Sequence, residues 1–231
     1  MKKCLFILFF MSIGFYSHSQ VLISLLFGDK LNSPGMEFGL EGGMNMSSLG
    51  NMDGNKRLSS LNIGFYLDIR LNDPWYIYTG LLAKSRMGLS NLSSDDLDFL
   101  QSEEYAEPGD YSQVLNYFIV PALAKYKLKN HVYFEAGPQF ALMHKSWVEY
   151  KSDVDGKDAR IRDYNKDMIN RLDVGVTAGM GYRLMKGNGM TIGLKYYYGF
   201  VDVYKDRSGT KNNSLFLKMN IPIGAAKADE N

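Results

Sequence analysis

The stretch LDVGVTAGMGYRL, residues 172–184, alternates along its whole length. One parity holds Leu172, Val174, Val176, Ala178, Met180, Tyr182 and Leu184, and the other holds Asp173, Gly175, Thr177, Gly179, Gly181 and Arg183. Successive side chains of a strand point to opposite faces. The stretch is therefore a strand with one apolar face and one face of glycine and charge. Which face points inward decides the fold. A soluble protein turns the apolar face to its core; a barrel in lipid turns it outward.

The alternation recurs at seven other places, near residues 36–48, 60–71, 75–89, 116–128, 131–145, 189–203 and 213–223. Each segment is about as long as the ~9–11 residues a tilted strand needs to cross a bilayer. The connectors NDP (72–74), KN (129–130) and KGNG (186–189) are tight turns with turn-forming residues. Between them lie long polar connectors near 48–58, 90–113, 146–170 and 203–212. Strict alternation of short and long is the loop asymmetry of outer-membrane barrels, with short turns in the periplasm and long loops outside. An even strand count returns both termini to the periplasmic side.

A mean hydropathy of −0.22 excludes a bundle of transmembrane helices. An aromatic content of 13% suits strands. The opening MKKCLFILFFMSIGFYSHSQ reads as a secretory signal peptide. Lys2 and Lys3 form its charged region, Leu5 to Tyr16 its apolar region, and Ser17-His18-Ser19 its cleavage site. Removing Lys2 and Lys3 from 26 basic residues leaves 24 against 25 acids, a mature charge of −1. No basic excess remains to bind nucleic acid. Cys4, the only cysteine, leaves with the signal, so disulfides cannot staple the exported chain. The expected layout is a signal peptide at 1–19, a periplasmic leader at 20–35, a barrel at 36–224 and a periplasmic tail at 225–231.

Packing decides which face is inside. Eight strands leave just enough lumen for side chains. Apolar faces turned inward would overfill that space. Turned outward, they leave Gly175, Gly179, Gly181, Gly193 and Gly199 to make room for Tyr133, Tyr197 and paired charges. The inner parity carries Glu37, Glu41, Asp68, Glu135 and Asp173 against Arg70, Lys84, Arg86, Lys125, Arg183, Lys195 and Lys218. Buried charge is tolerable only when paired, and a closed ring supplies partners. Trp75, Tyr76, Tyr126, Trp147, Tyr182, Tyr196, Tyr198 and Phe200 gather near strand ends, as in the aromatic girdles at the two lipid boundaries. The fold expected is all-β, an eight-stranded antiparallel up-and-down transmembrane β-barrel. A lipocalin-like soluble barrel would need an apolar cavity and a charged exterior, which the inner glycines and charges oppose.

FGLEGGMN (38–45), NYFIVPALAKYKL (116–128), VYFEAGPQFALM (132–143), LDVGVTAGMGYRL (172–184) and YYYGFVDV (196–203) resemble successive strands of the PorT-like outer-membrane β-barrel proteins. The resemblance spans nearly the whole mature chain and implies an outer-membrane barrel of a Gram-negative cell envelope. The founding member of that family is tied to a secretion apparatus. Two departures stand out: Ile119 where the family often has an acid, and a terminal PIGAAKADEN without a final aromatic residue. Fold does not fix function, so the secretion role is not carried over.

Site chemistry is sparse. His144 with Ser146 resembles the start of a hydrolase pair, but neither a G-x-S-x-G elbow nor an orienting carboxylate is evident. The loop SSDDLDFLQSEEYAEPGDY gathers Asp95, Asp96, Asp98, Glu103, Glu104, Glu107 and Asp110 without calcium-loop spacing. It reads as a solvated acidic loop with a short helix. Facing it, residues 151–167 mix Lys157, Arg160, Arg162 and Lys166 with acids. The expectation is a non-enzymatic barrel without cofactor or metal. Its expected partners are membrane lipids and lipopolysaccharide, the barrel-assembly machinery, and a cell-envelope or secretion protein at the outer loops.

Overall fold

The structure is a computed structural model describing residues 35–223, except 155, 156 and 188. The expected signal peptide, the leader up to residue 34 and the tail 225–231 lie outside the described residues. Among the described residues no helix is long and apolar enough to cross a membrane.

The strands are β1 (Met36–Leu49), β2 (Lys56–Asn72), β3 (Trp75–Ser90), β4 (Asp110–Lys127), β5 (Val132–Val154), β6 (Lys157–Asp163), β7 (Leu172–Arg183), β8 (Thr191–Asp202) and β9 (Lys211–Pro222), with one short helix, α1 (Ser94–Leu100). All pairings are antiparallel. β1 returns to β9 from Gly39↔Pro222 to Leu49↔Asn212, so the sheet closes on itself. The ring runs β1–β2–β3–β4–β5–β7–β8–β9, eight strands, with β6 paired only to the far part of β5. Closure leaves no ring strand at an open edge, so neighbouring strands satisfy one another's backbone groups around the ring.

The apolar faces point outward. Leu61, Ile63, Phe65, Phe118, Phe134, Phe140, Met180, Leu194 and Leu217 are exposed, while Tyr66, Tyr78, Glu135, Thr177, Lys195 and Lys218 on the other parity are buried. The period of two and the small lumen together require this choice.

Parity is not constant along every strand. In β3, Leu82 lies opposite Gly64 and Lys84 opposite Ile63, so Ala83 is an extra residue. The same bulge shows against β4, where Leu82↔Ile119 is followed by Ser85↔Tyr117. In β5, His144 is extra between Met143↔Tyr117 and Lys145↔Asn116. A bulge sends every later side chain of its strand to the opposite face. Reading 75–89 as one unbroken alternation puts Met87 and Leu89 on the outward face with Trp75, Ile77, Leu81 and Ala83; instead they turn inward and are buried. The bulge also corrects the expected inward placement of Lys84, which is exposed beside Ile63.

The β2–β3 ladder is interrupted between Arg57↔Leu89 and Ile63↔Lys84. Side chains of β1 and β2 close that seam from within. Asn45 Nδ2 donates to the Arg86 carbonyl at 2.9 Å, and the Gly88 amide donates to Ser47 Oγ at 2.9 Å. Ser85 Oγ donates to Asn62 Oδ1 at 2.7 Å. Backbone groups that lose their ladder partner are thus satisfied by polar side chains.

The wall is taller on one side. β2 to β5 contain 17, 16, 18 and 23 residues, against 12 each in β7, β8 and β9. Since ~9–11 residues suffice to span, the surplus on β2–β5 stands beyond the apolar belt at the long-loop end.

Candidate functional site

Two interiors share one lumen. The short-turn half is ionic. Lys195 Nζ donates to Glu41 Oε1 at 2.9 Å, and Tyr78 Oη donates to the second oxygen of the same carboxylate. Asn220 Nδ2 donates to Tyr78 Oη at 3.2 Å. Lys218 Nζ donates to Glu135 Oε2 at 2.8 Å and lies 3.9 Å from the centre of the Tyr78 ring. Lys125 and Lys127 place their ammonium groups 2.8 and 3.0 Å from Asp68 Oδ2. At the mouth, Arg183 is 2.6 Å from Glu37, which also accepts from Tyr66 Oη at 2.8 Å. Every strand of the ring except β3 supplies a charge, and β3 supplies the Tyr78 hydroxyl. The Lys195–Glu41, Lys218–Glu135 and Arg183–Glu37 pairs join strands far apart in sequence.

Glycine makes the room. A Cβ at Gly181 would come 2.4 Å from Tyr133 Oη, and one at Gly193 would come 2.3 Å from it. Gly181 and Gly193 are register partners on β7 and β8, so the phenol lies across both bare backbones. Tyr66 lies over Gly39, its own partner on β1, in the same way.

Above this, Asp173 accepts from Tyr197 Oη at 2.9 Å and from Asn212 Nδ2 at 2.8 Å. Asn212 also donates to Tyr117 Oη at 3.1 Å. The long-loop half holds an apolar cluster beside a smaller polar one. Leu82, Met87, Leu89, Leu115, Ile119, Met143, Ile169 and Phe216 form one buried cluster, and Leu97 and Leu100 of α1 close it from the loops. Phe216 stands at the junction, its ring 5.2 Å from Lys195 Nζ.

Of the charges assigned to the lumen from sequence, Glu41, Asp68, Lys125, Glu135, Asp173, Lys195 and Lys218 are buried there, with Arg183 at the mouth. Arg70 is not among them. It sits at the strand end by the β2–β3 turn, where it is exposed and pairs with Asp73. Lys84 and Arg86 lie on the outer face beyond the β3 bulge. Of the aromatic residues, Trp75 and Tyr126 meet edge to face at 4.9 Å near the short turns, with Tyr182 at that same end, whereas Tyr76 shares the inner parity of Tyr78 and its ring lies 3.6 Å from Lys127 Nζ. Tyr196, Tyr198 and Phe200 face outward along β8. Trp147 departs from the expected girdle: the His144 bulge puts it on the upper outer wall, covered by Arg86, Arg162 and Tyr164. Sequence reasoning overlooked the apolar upper lumen, although Ile119 already sat on the inner parity of NYFIVPALAKYKL.

His144 and Ser146 do not meet. The imidazole stacks on outward Phe118 at 4.4 Å, whereas Ser146 is buried inside and donates to Asn165 Oδ1 at 2.6 Å. Gln113, Asn165 and Tyr204 complete that inner polar cluster, tying β4, the β6–β7 connection and the β8–β9 loop together.

In the acidic loop, Asp96 acts as a strut. Its carboxylate accepts from the amides of Asp53, Gly54 and Ser93 at 3.1, 2.8 and 3.2 Å, and Ser93 Oγ caps the Asp96 amide at 3.1 Å. This reciprocal box sets the start of α1. No cluster of metal ligands occurs among the described residues. Asp96→Ala is expected to loosen the β1–β2 and β3–β4 loops by about 1–2 kcal/mol. Amide exchange should quicken at Asp53, Gly54 and Ser93 while ring amides hold their protection; uniform quickening would contradict this local role.

On the opposite hairpin, Glu149 gathers cations, with Lys151 at 2.9 Å, Arg162 at 3.0 Å and Arg160 at 3.9 Å. Partial burial opposes its ionised form, but hydrogen bonds from Lys151 and Arg162 outweigh that and hold its carboxyl below the usual carboxylate range.

A ring of eight strands with apolar residues outside and salt inside has a counterpart in known families. The family described as outer membrane protein beta-barrel domain matches residues 29–205. No curated protein matches the chain. Among solved structures, the attachment invasion locus protein Ail of Yersinia pestis is 13% identical with a TM-score of 0.42, the match covering 82% of this chain and 99% of that one. Neisserial surface protein A is 13% identical with a TM-score of 0.41, over 81% and 98% of the two chains. OprG of Pseudomonas aeruginosa is 11% identical with a TM-score of 0.36, over 81% and 93%. The family match spans most of the strand ring, and on that ground the chain belongs to the outer membrane protein beta-barrel domain family.

Proposed function

We propose that this protein is a closed, non-enzymatic barrel of the outer membrane that binds through its long-loop end. Its short turns and both termini are periplasmic, and its long loops face outward. The observation that carries this reading is the filled lumen. Tyr66, Tyr78, Tyr117, Tyr133, Tyr197 and Phe216 are each no more than 2% exposed and occupy it from mouth to mouth. A barrel so filled offers no wide water path, and the braced loops above it are the surface available for recognition. Its lipid surroundings include lipopolysaccharide, it reaches the membrane through the barrel-assembly machinery, and its loops meet a cell-envelope protein. An accessory place in protein secretion is the finer reading implied by the PorT-like resemblance. It would appear as a stable companion on purification in mild detergent.

The test is electrical. Purified protein that shifts mobility on boiling, and is therefore folded, is inserted into planar bilayers. We expect no large, stable, open conductance. A long-lived open channel would overturn the occluded reading.

A further inference from the structure

The interrupted β2–β3 seam leaves a notch of about 310 Å³ on the outer wall, lined by Met44, Leu61, Lys84, Arg86, Val114 and Glu149 among others. Its lower border is apolar and continuous with the outward belt of Leu61, Ile63, Leu81 and Phe118. Its upper border is cationic. Glu149 already carries Lys151, Arg160 and Arg162, so it has no spare charge for the notch. Lys84, Arg86 and neighbouring Lys145 have no carboxylate partner among the described residues. Arg86 Nε is buried without a hydrogen-bond partner, and its guanidinium is held 5.7 Å from the Trp147 ring centre. A buried, unsatisfied guanidinium donor costs free energy unless an acceptor arrives.

We propose that this notch binds the phosphate monoester of an outer-leaflet lipid, with Arg86 and Lys84 on the phosphate and the acyl chains lying against Leu61, Ile63 and Leu81. A monoester carries a charge of about −1.5 to −2, which matches adjacent unpaired cations better than a singly charged diester does. Arginine and phosphate form charge-assisted, bidentate bonds. The site lies where apolar wall gives way to polar wall, the height at which a lipid presents its headgroup. Free phosphate would leave the apolar border unused, so the lipid is the occupant. The inference rests on the outer-membrane placement of the long-loop end.

The protein is reconstituted in phosphatidylcholine nanodiscs containing either lipid A or phosphatidylglycerol, and co-retained lipid is counted by native mass spectrometry. Wild-type protein should retain lipid A over phosphatidylglycerol. Arg86→Gln and Lys84→Gln should each weaken that retention about tenfold. Lys129→Gln, at a short turn, should leave it unchanged. Lys84 makes no contact that folding needs, so its variant reads the site even if Arg86→Gln disturbs Trp147. Equal retention of the two lipids, retention insensitive to both variants, or displacement by millimolar inorganic phosphate would each overturn the proposal. Heat-modifiability is read on the same samples. A folded barrel that ignores lipid A defeats the notch alone; a chain that never forms a heat-modifiable barrel defeats the membrane reading beneath it.

Discussion

Glu135→Ala should destabilise the folded barrel by about 3–5 kcal/mol, the cost of stranding one member of a buried ion pair. Among the described residues Glu135 is the carboxylate with which Lys218 forms its ion pair, and both side chains are almost wholly buried. In the variant the ammonium keeps the faces of Tyr78 and Tyr133, 3.9 and 5.4 Å away, and the longer-range attraction of the Glu41 carboxylate. Those faces offer at most a few kcal/mol and no acceptor in line. The double variant Glu135→Met/Lys218→Met should recover most of the loss, because it removes both charges and refills the space. Equilibrium urea unfolding in detergent, followed by loss of the fast-migrating gel band, measures both. If the single variant unfolds with wild type, or the double variant is as weak as the single, the ionic lumen does not hold the barrel together.

The second large effect belongs to the other half of the lumen. Phe216→Ala should cost about 3–5 kcal/mol, the usual penalty for emptying a buried aromatic site. Phe216 is 1% exposed and separates the Lys195–Glu41 layer from the apolar cluster above it. Collapse around the gap is hindered because its neighbours are fixed to rigid strands. Phe140→Ala serves as the comparison, since Phe140 is 43% exposed on the outer wall and leaves no internal hole. In the same unfolding assay the first variant should lose clearly more than the second. The reverse order would mean that the exposed face is the packed one.

Much of this molecule can be read from period and space alone. The strand 172–184 shows both faces, and Gly181 and Gly193 reveal which is inside, because only a bare backbone admits Tyr133. The partners Glu41–Lys195 and Glu135–Lys218 were legible as inward charges of opposite sign, but not as pairs, since pairing depends on shear around the ring. What escaped reading was the change of parity within a strand. Ala83 and His144 carry no turn-forming or glycine mark, so nothing local announces a bulge. The consequences at Lys84, Met87, Leu89 and Trp147 all follow from those two residues. The length of β5 and the presence of β6 escaped for a related reason. Residues 146–163 are polar enough on their outer face to read as loop, yet Val148 and Tyr150 are buried on the inner one.

The bulge at Ala83 has a consequence for how one polypeptide meets two solvents. Below it, β3 shows grease to hydrocarbon and hydroxyls to the axis; above it, the same strand shows lysine and arginine to water and methionine to the axis. One inserted residue turns the material inside out without adding a strand or breaking the ring. The lower storey is thereby built as membrane proteins are, and the upper storey as water-soluble domains are.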